Sequence, residues 1–226
     1  CAVCFPAAAE EAQPENDDVV RVIAVAPEAD ALDGPVIAQK LEAVPGGTNF
    51  SDLRDETRLS TLSDALSYLP GLVVQEFAGT SDLPRLNVRG SGIQGNPVSR
   101  GVLLRLDGLP INDADGSYIV GLINPSNTKF ITAHRGANSH ALGPVTLGGD
   151  INFMSYRGED GLITGQASAG SFGRQSYTLG LGWDELAWDV RLSYGRDDYE
   201  GYRHHSSSKR QTAQINAGVM LGADFE

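Results

Sequence analysis

The chain has 226 residues and a formal net charge of −12, enough length for one or two domains. Eight acidic residues and one basic residue fall between Glu10 and Asp33, so −7 of that charge sits in one stretch and −5 is left for the rest. No Lys/Arg-rich stripe is present, which excludes nucleic acid as a main partner. No stretch approaches the ~18 apolar residues of a helical membrane span.

Taken in chain order, Cys1 and Cys4 are the only cysteines. A CxxC pair can serve redox or metal chemistry. Here it runs into Phe5-Pro6-Ala7-Ala8-Ala9, and the small-x-small run fits a signal-peptidase site, so residues 1–9 are expected to be a signal-peptide remnant. Residues 10–31 read as a disordered acidic tail that carries one β-prone run, Val19–Ala26, closed by Pro27. A lone strand is not stable by itself. It must join a sheet of this chain or pair with a partner by edge addition.

Pro45-Gly46-Gly47 predicts a turn. Ser60–Leu69 predicts a helix: Ser60 or Thr61 caps it, Asp64 lies in the first turn, and Leu62, Ala65, Leu66 and Leu69 share one face. Pro70-Gly71 ends it. Strands are predicted at Leu72–Phe77, Arg85–Arg89 and Gly101–Leu106, the last turning at Asp107-Gly108. One helix among short strands describes a small α+β domain. Phe130–Ser155 is extended at both ends and glycine-rich between them, and is expected to be the hinge between this domain and the strands downstream of it.

From Gly161 the texture changes. Tyr177, Leu179, Leu181 and Trp183 alternate with Ser176, Thr178, Gly180 and Gly182. Trp188–Tyr194 and Ala213–Leu221 repeat the pattern. Strands of about ten residues, apolar on one face and polar or tiny on the other, are the signature of a transmembrane β-barrel. Trp183 and Trp188 are expected to flank a turn at Asp184-Glu185. Counting Gly161–Ala169, four strands are predicted in 161–226. Four cannot close a barrel, whose minimum is about eight, so the chain is expected to be the N-terminal part of a longer protein. The fold class is thus a small α+β domain, 32–156, followed by antiparallel transmembrane barrel strands.

Four motifs in this order resemble the TonB-dependent outer-membrane transporters: LSDALSYLPGLVVQ at Leu62–Gln75, LNVRGSG at Leu86–Gly92, VLLRLDGLPIND at Val102–Asp113 and RGANSHALGPVTLGGDINF at Arg135–Phe153. GSFG at Gly170–Gly173 looks like the first external turn of such barrels. The LGG-x-INF form is similar to the ferric citrate branch. The resemblance implies a bacterial outer-membrane location and a plug inside a barrel of about 22 strands. It implies uptake of a ferric chelate, with no cofactor and no catalysis. Val19, Val20, Arg21, Val22, Ile23, Ala24 and Val25 then occupy the place of the TonB box, which pairs with the TonB energy-coupling protein. Arg89 and Arg135 match the arginines that lock the plug to barrel glutamates. The ligand-proximal loops of the plug would present Ser91, Gln94, Asn96, Arg100, Asp113, Asp115, Ser117 and Tyr118. Rival readings are uptake of another scarce ligand, such as a cobalamin or an oligosaccharide, or an outer-membrane adhesin that does not transport.

Three weaker signals are set aside. Gly90–Gly95 matches G-x-G-x-x-G, but a dinucleotide site needs a helix to start there and Asn96-Pro97 comes next instead. Asp113-Ala114-Asp115-Gly116 lacks the remaining ligands of a calcium loop. His204-His205 has no companion ligand set for a metal. No nucleophile–base arrangement can be assembled, so an enzyme is not expected.

Overall fold

The structure is a computed structural model. It describes residues 47–54, 56, 59–76, 84–91, 100–136, 146–185 and 187–219, with 34, 38 and 39. The expected signal remnant, acidic tail and TonB box lie outside the described residues.

Two β-sheets carry the fold. The first has five strands: β1 (Thr48–Asp52), β4 (Val102–Leu106), β5 (Leu109–Pro110), β6 (Thr128–Arg135) and β7 (Gly149–Ser155), in the order β1-β6-β7-β4-β5. The β4–β7 pair is parallel and the others are antiparallel. A separate ribbon pairs β2 (Leu72–Gln75) with β3 (Arg85–Val88). The helix α1 spans Leu62–Leu66, shorter than the predicted Ser60–Leu69. Its start agrees with the sequence: Thr61 Oγ1 accepts from the Asp64 N–H at 3.2 Å, and the Asp64 carboxylate accepts from the Thr61 N–H at 2.9 Å. Leu69 keeps its inward direction after the helix has ended, because Pro70-Gly71 turns the chain directly into β2.

Leu62, Ala65 and Leu66 pack with Leu86, Val88, Leu104, Ile131, Ile151 and Phe153 in one buried cluster. Full burial of each large aliphatic or aromatic side chain contributes about 1.5–3 kcal/mol, so this cluster holds helix, ribbon and sheet together. The Asp107-Gly108 turn has φ of 52° and 82°, the left-handed pair that a two-residue hairpin requires. It is pinned to β7: the Ser155 N–H donates to Asp107 Oδ1 at 2.7 Å and the Gly108 N–H to Asn152 Oδ1 at 2.9 Å.

One expectation changes here, and one strand goes unpredicted. Phe130–Ser155 is not a hinge. Its ends are β6 and β7, which pair with each other inside the five-stranded sheet, and β7 is buried along most of its length. Apolar residues on both faces mark an interior strand. The change of texture falls instead at a short 3-10 turn, Gly158–Asp160. The strand β1 has no clear sequence signal because Thr-Asn-Phe-Ser-Asp is short and polar. It forms through its ladder to β6 and a tilted ring contact between Phe50 and Phe130, with centroids 5.5 Å apart.

The second sheet is an antiparallel wall of four strands: β8 (Ile163–Gly170), β9 (Arg174–Glu185), β10 (Trp188–Tyr199) and β11 (Ser208–Val219). Its register aligns the apolar residues across strands: Ile163 faces Leu181, Leu181 faces Leu192, and Leu192 faces Ile215. Trp183 and Trp188 lie on this same outward, largely exposed face. Glu185 pairs with Trp188 and Asp184 with Asp189, so Asp184 and Glu185 are strand residues rather than the expected turn. The GSFG turn forms as expected, with Phe172 and Gly173 at φ of 59° and 68°. Among the described residues no helix is long and apolar enough to cross a membrane, which says nothing of strands.

Candidate functional site

The polar face of the wall docks on the α+β domain. Four alternate residues of β11 make the seam. Arg210 Nη2 donates to the carbonyl oxygens of Gly121 and Ile123, the latter at 2.9 Å. Thr212 Oγ1 accepts from Asn124 Nδ2 at 2.9 Å. Gln214 accepts from Asn127 Nδ2 at 2.8 Å and donates to Ser155 Oγ at 3.1 Å. Asn216 Nδ2 donates to the Tyr156 carbonyl at 3.4 Å. Side chains at i, i+2, i+4 and i+6 of a strand share one face, so a single strand reads the domain from Gly121 to Tyr156. The receiving segment is built from two 3-10 turns, Val120–Leu122 and Pro125–Asn127, with Asn124 capping the second. The linker is tied to the domain as well: Lys129 Nζ on β6 lies 2.6 Å from Asp160 Oδ1, with both side chains largely buried.

Arg135 ends β6. Its Nε donates to the Gly47 carbonyl at 3.1 Å, and the guanidinium passes between Gly47 and Gly71. A Cβ on either glycine would stand within 3 Å of it. The other arginine, Arg89, has φ of 50°, and its Nη1 would meet a Cβ on Gly136 at 2.9 Å. Because Gly136 follows Arg135, the structure brings the two predicted lock arginines into one neighbourhood, crowded against glycines.

The residues expected near a ligand divide into three groups. Arg100 and Asp115 meet at 2.5 Å, both more than half exposed. Asp115 also accepts from the Ser117 hydroxyl at 2.6 Å and the Ser117 N–H at 2.9 Å, while Asp113 Oδ2 lies 3.3 Å from that hydroxyl. The Ser117 hydroxyl, then its N–H, then Arg100 hold the Asp115 carboxyl well below the usual carboxylate range. So Arg100, Asp113, Asp115 and Ser117 form one self-bonded group, in which Arg100 carries a carboxylate partner. A second group turns inward. Tyr118 is 6% exposed and its hydroxyl donates to the Leu86 carbonyl at 3.2 Å. Ser91 Oγ donates to the Val88 carbonyl at 2.6 Å, and Ser91 packs beneath Gly148. Tyr118 packs in the cluster around α1. The third group, Gln94 and Asn96, lies outside the described residues.

The seam is absent from the sequence reading. Arg210, Thr212, Gln214 and Asn216 are recognisable there as the polar face of a strand, but nothing local names Asn124, Asn127 and Ser155 as their partners.

Residues 48–149 match the family model described as the TonB-dependent receptor plug domain. Solved structures share the arrangement. The FrpB iron transporter from Neisseria meningitidis aligns at 19% identity with a TM-score of 0.61, over 77% of this chain and 29% of that one. The copper transporter OprC aligns at 16% identity with a TM-score of 0.60, over 79% and 28%. The Serratia marcescens hemophore receptor HasR, solved with its hemophore HasA and heme, aligns at 16% identity with a TM-score of 0.58, over 80% and 30%. The chain thus spans under a third of the length of each. Residues 48–149 thus carry the plug domain of TonB-dependent receptors, and the amphipathic wall behind it shares the antiparallel fold of those solved structures.

Proposed function

We propose that this chain is the plug and leading wall of an active importer that takes up a scarce metal chelate, with a ferric chelate as the first candidate. The observation that carries the reading is the seam. A soluble sandwich would pack its apolar face inward, whereas this wall turns its polar face to the plug and its apolar rows outward. An importer needs a plug held firmly enough to seal the barrel and loosely enough to move. Hydrogen bonds of about 0.5–1.5 kcal/mol each between neutral groups, with those of the charged Arg210 at about 1.5–3 kcal/mol, suit that need better than an apolar interface.

In this reading residues 1–9 are a signal remnant, 10–31 a tail, 32–156 the plug and 161–226 barrel strands. Val19–Ala26 pairs with the energy-coupling protein through main-chain hydrogen bonds. Arg89 and Arg135 engage barrel carboxylates, since guanidinium groups enclosed in a barrel need partners. The Asp113–Ser117 loop with Arg100 faces the incoming ligand. The protein binds and admits its ligand without catalysis.

The test is uptake by cells that carry the full-length receptor, given radioactive iron as its citrate, hydroxamate or catecholate chelate. One chelate should accumulate in an energy-dependent manner. Val22→Pro removes a backbone donor from the box and should abolish accumulation while leaving surface binding unchanged. Normal uptake by the Pro variant would contradict the reading.

A further inference from the structure

Arg191 has no part in the seam or in the lock. It lies on the polar face of β10 and is 3% exposed. Its Nη1 donates to the Gly161 carbonyl at 2.9 Å and its Nη2 to Thr164 Oγ1 at 2.5 Å. The Tyr156 ring centroid is 5.5 Å away. Among the described residues it has no carboxylate within ion-pair distance, and its buried Nε meets no acceptor. The wall is shaped for this side chain: a Cβ at Gly180 would collide with the guanidinium, and one at Gly182 would crowd it at 3.2 Å.

The guanidinium borders a cavity of about 310 Å³ between plug and wall. Hydroxyls of Thr164, Thr178 and Ser193 line it from the wall, and Ser126 lines it from the plug. Arg54 and Glu56 border it too, but Arg54 is held by Asp52 at 2.5 Å. Asp160 attracts the guanidinium from beyond ion-pair distance and is itself held by Lys129 at 2.6 Å, so among the described residues the desolvated cation has no ion-pair partner of its own, which is unfavourable. A hydroxyl-lined cavity beside it offers room, donors and charge for an oxyanion.

We infer that this cavity is an interior anion site that takes a small carboxylate, bound by the Nε of Arg191 and the hydroxyls around it. It is separate from the Asp113–Ser117 loop. The inference rests on the plug-and-barrel fold and not on the identity of the imported ligand.

Calorimetric titration of the detergent-solubilised full-length receptor with sodium malonate, against chloride at equal ionic strength, tests it. Malonate should bind, and Arg191→Gln should weaken binding at least tenfold. Gly180→Ala keeps the charge but displaces the guanidinium, and should weaken it comparably. Arg203→Gln, in an exposed loop, should have no effect. Should Arg191→Gln fail to fold by heat-dependent gel mobility, Gly180→Ala and Ser193→Ala carry the comparison. No binding by the unaltered receptor, or equal binding by the receptor and its cavity variants, overturns the inference. Binding in detergent needs no energised partner, so that failure would leave the uptake reading standing, and a failure of uptake would leave this one standing.

Discussion

Arg135 shows how a single side chain constrains the backbone around it. Gly71 has φ of 83°, and a Cβ there would sit 2.7 Å from Arg135 Nη1. Gly71→Ala therefore strains the backbone and displaces the guanidinium together, a class of change that costs about 1–3 kcal/mol. Hydrogen exchange at the β6 amides should report it as a loss of protection of that size, and unchanged protection would show that Arg135 moves freely. Asp115 gives a pH prediction of definite sign. Its carboxyl is held down first by the Ser117 hydroxyl and then by the Ser117 N–H and Arg100. A lowered folded-state value means that its contribution is present above the unfolded value of about 3.9 and is lost as pH falls through the folded one. The loop should stay intact from neutral pH to about pH 4 and loosen only in stronger acid. Carboxyl NMR of labelled aspartate should find Asp115 still ionised at pH 4, and titration near 3.9 would contradict the geometry.

Individual elements are legible in the sequence to different degrees. The start of α1 is written in Thr61 and Asp64, and Thr61→Ala should lower the stability of the helix by about 1 kcal/mol, read as faster exchange at the Leu66 amide. Its length is not legible, because the apolar spacing of Leu62, Ala65, Leu66 and Leu69 continues past the point where Pro70 stops the hydrogen bonds. The wall strands are legible because period-two alternation survives without knowledge of neighbours. The role of β6 and β7 is not, since their glycine-rich connection resembles a boundary and only the ladder to β1 and β4 shows an interior pair. The seam is the least legible part, because its partners lie 59 to 89 residues apart. Gln214 is its most connected residue. Gln214→Ala leaves Asn127 and Ser155 short of partners, and buried groups left so cost about 1–3 kcal/mol. Limited proteolysis should then cut the plug faster in the intact receptor, and an unchanged rate would show that the seam contributes little.

Across the whole molecule, two surfaces of opposite character are separated by one β-sheet. Outward rows of Ile163, Leu179, Leu192 and Ile215 suit lipid, while inward rows of threonine, serine, asparagine and glutamine hold a plug. That division is what the seam and the proposed importer both depend on. It is tested most directly by nitroxide labels placed one at a time from Thr212 to Ala217, in the full-length receptor reconstituted in liposomes. The account predicts a period of two in electron paramagnetic resonance power saturation: oxygen, which partitions into lipid, reaches labels at Ala213, Ile215 and Ala217, and labels at Thr212, Gln214 and Asn216 are shielded from it. Equal oxygen access along β11, or maxima at the even positions, would contradict it.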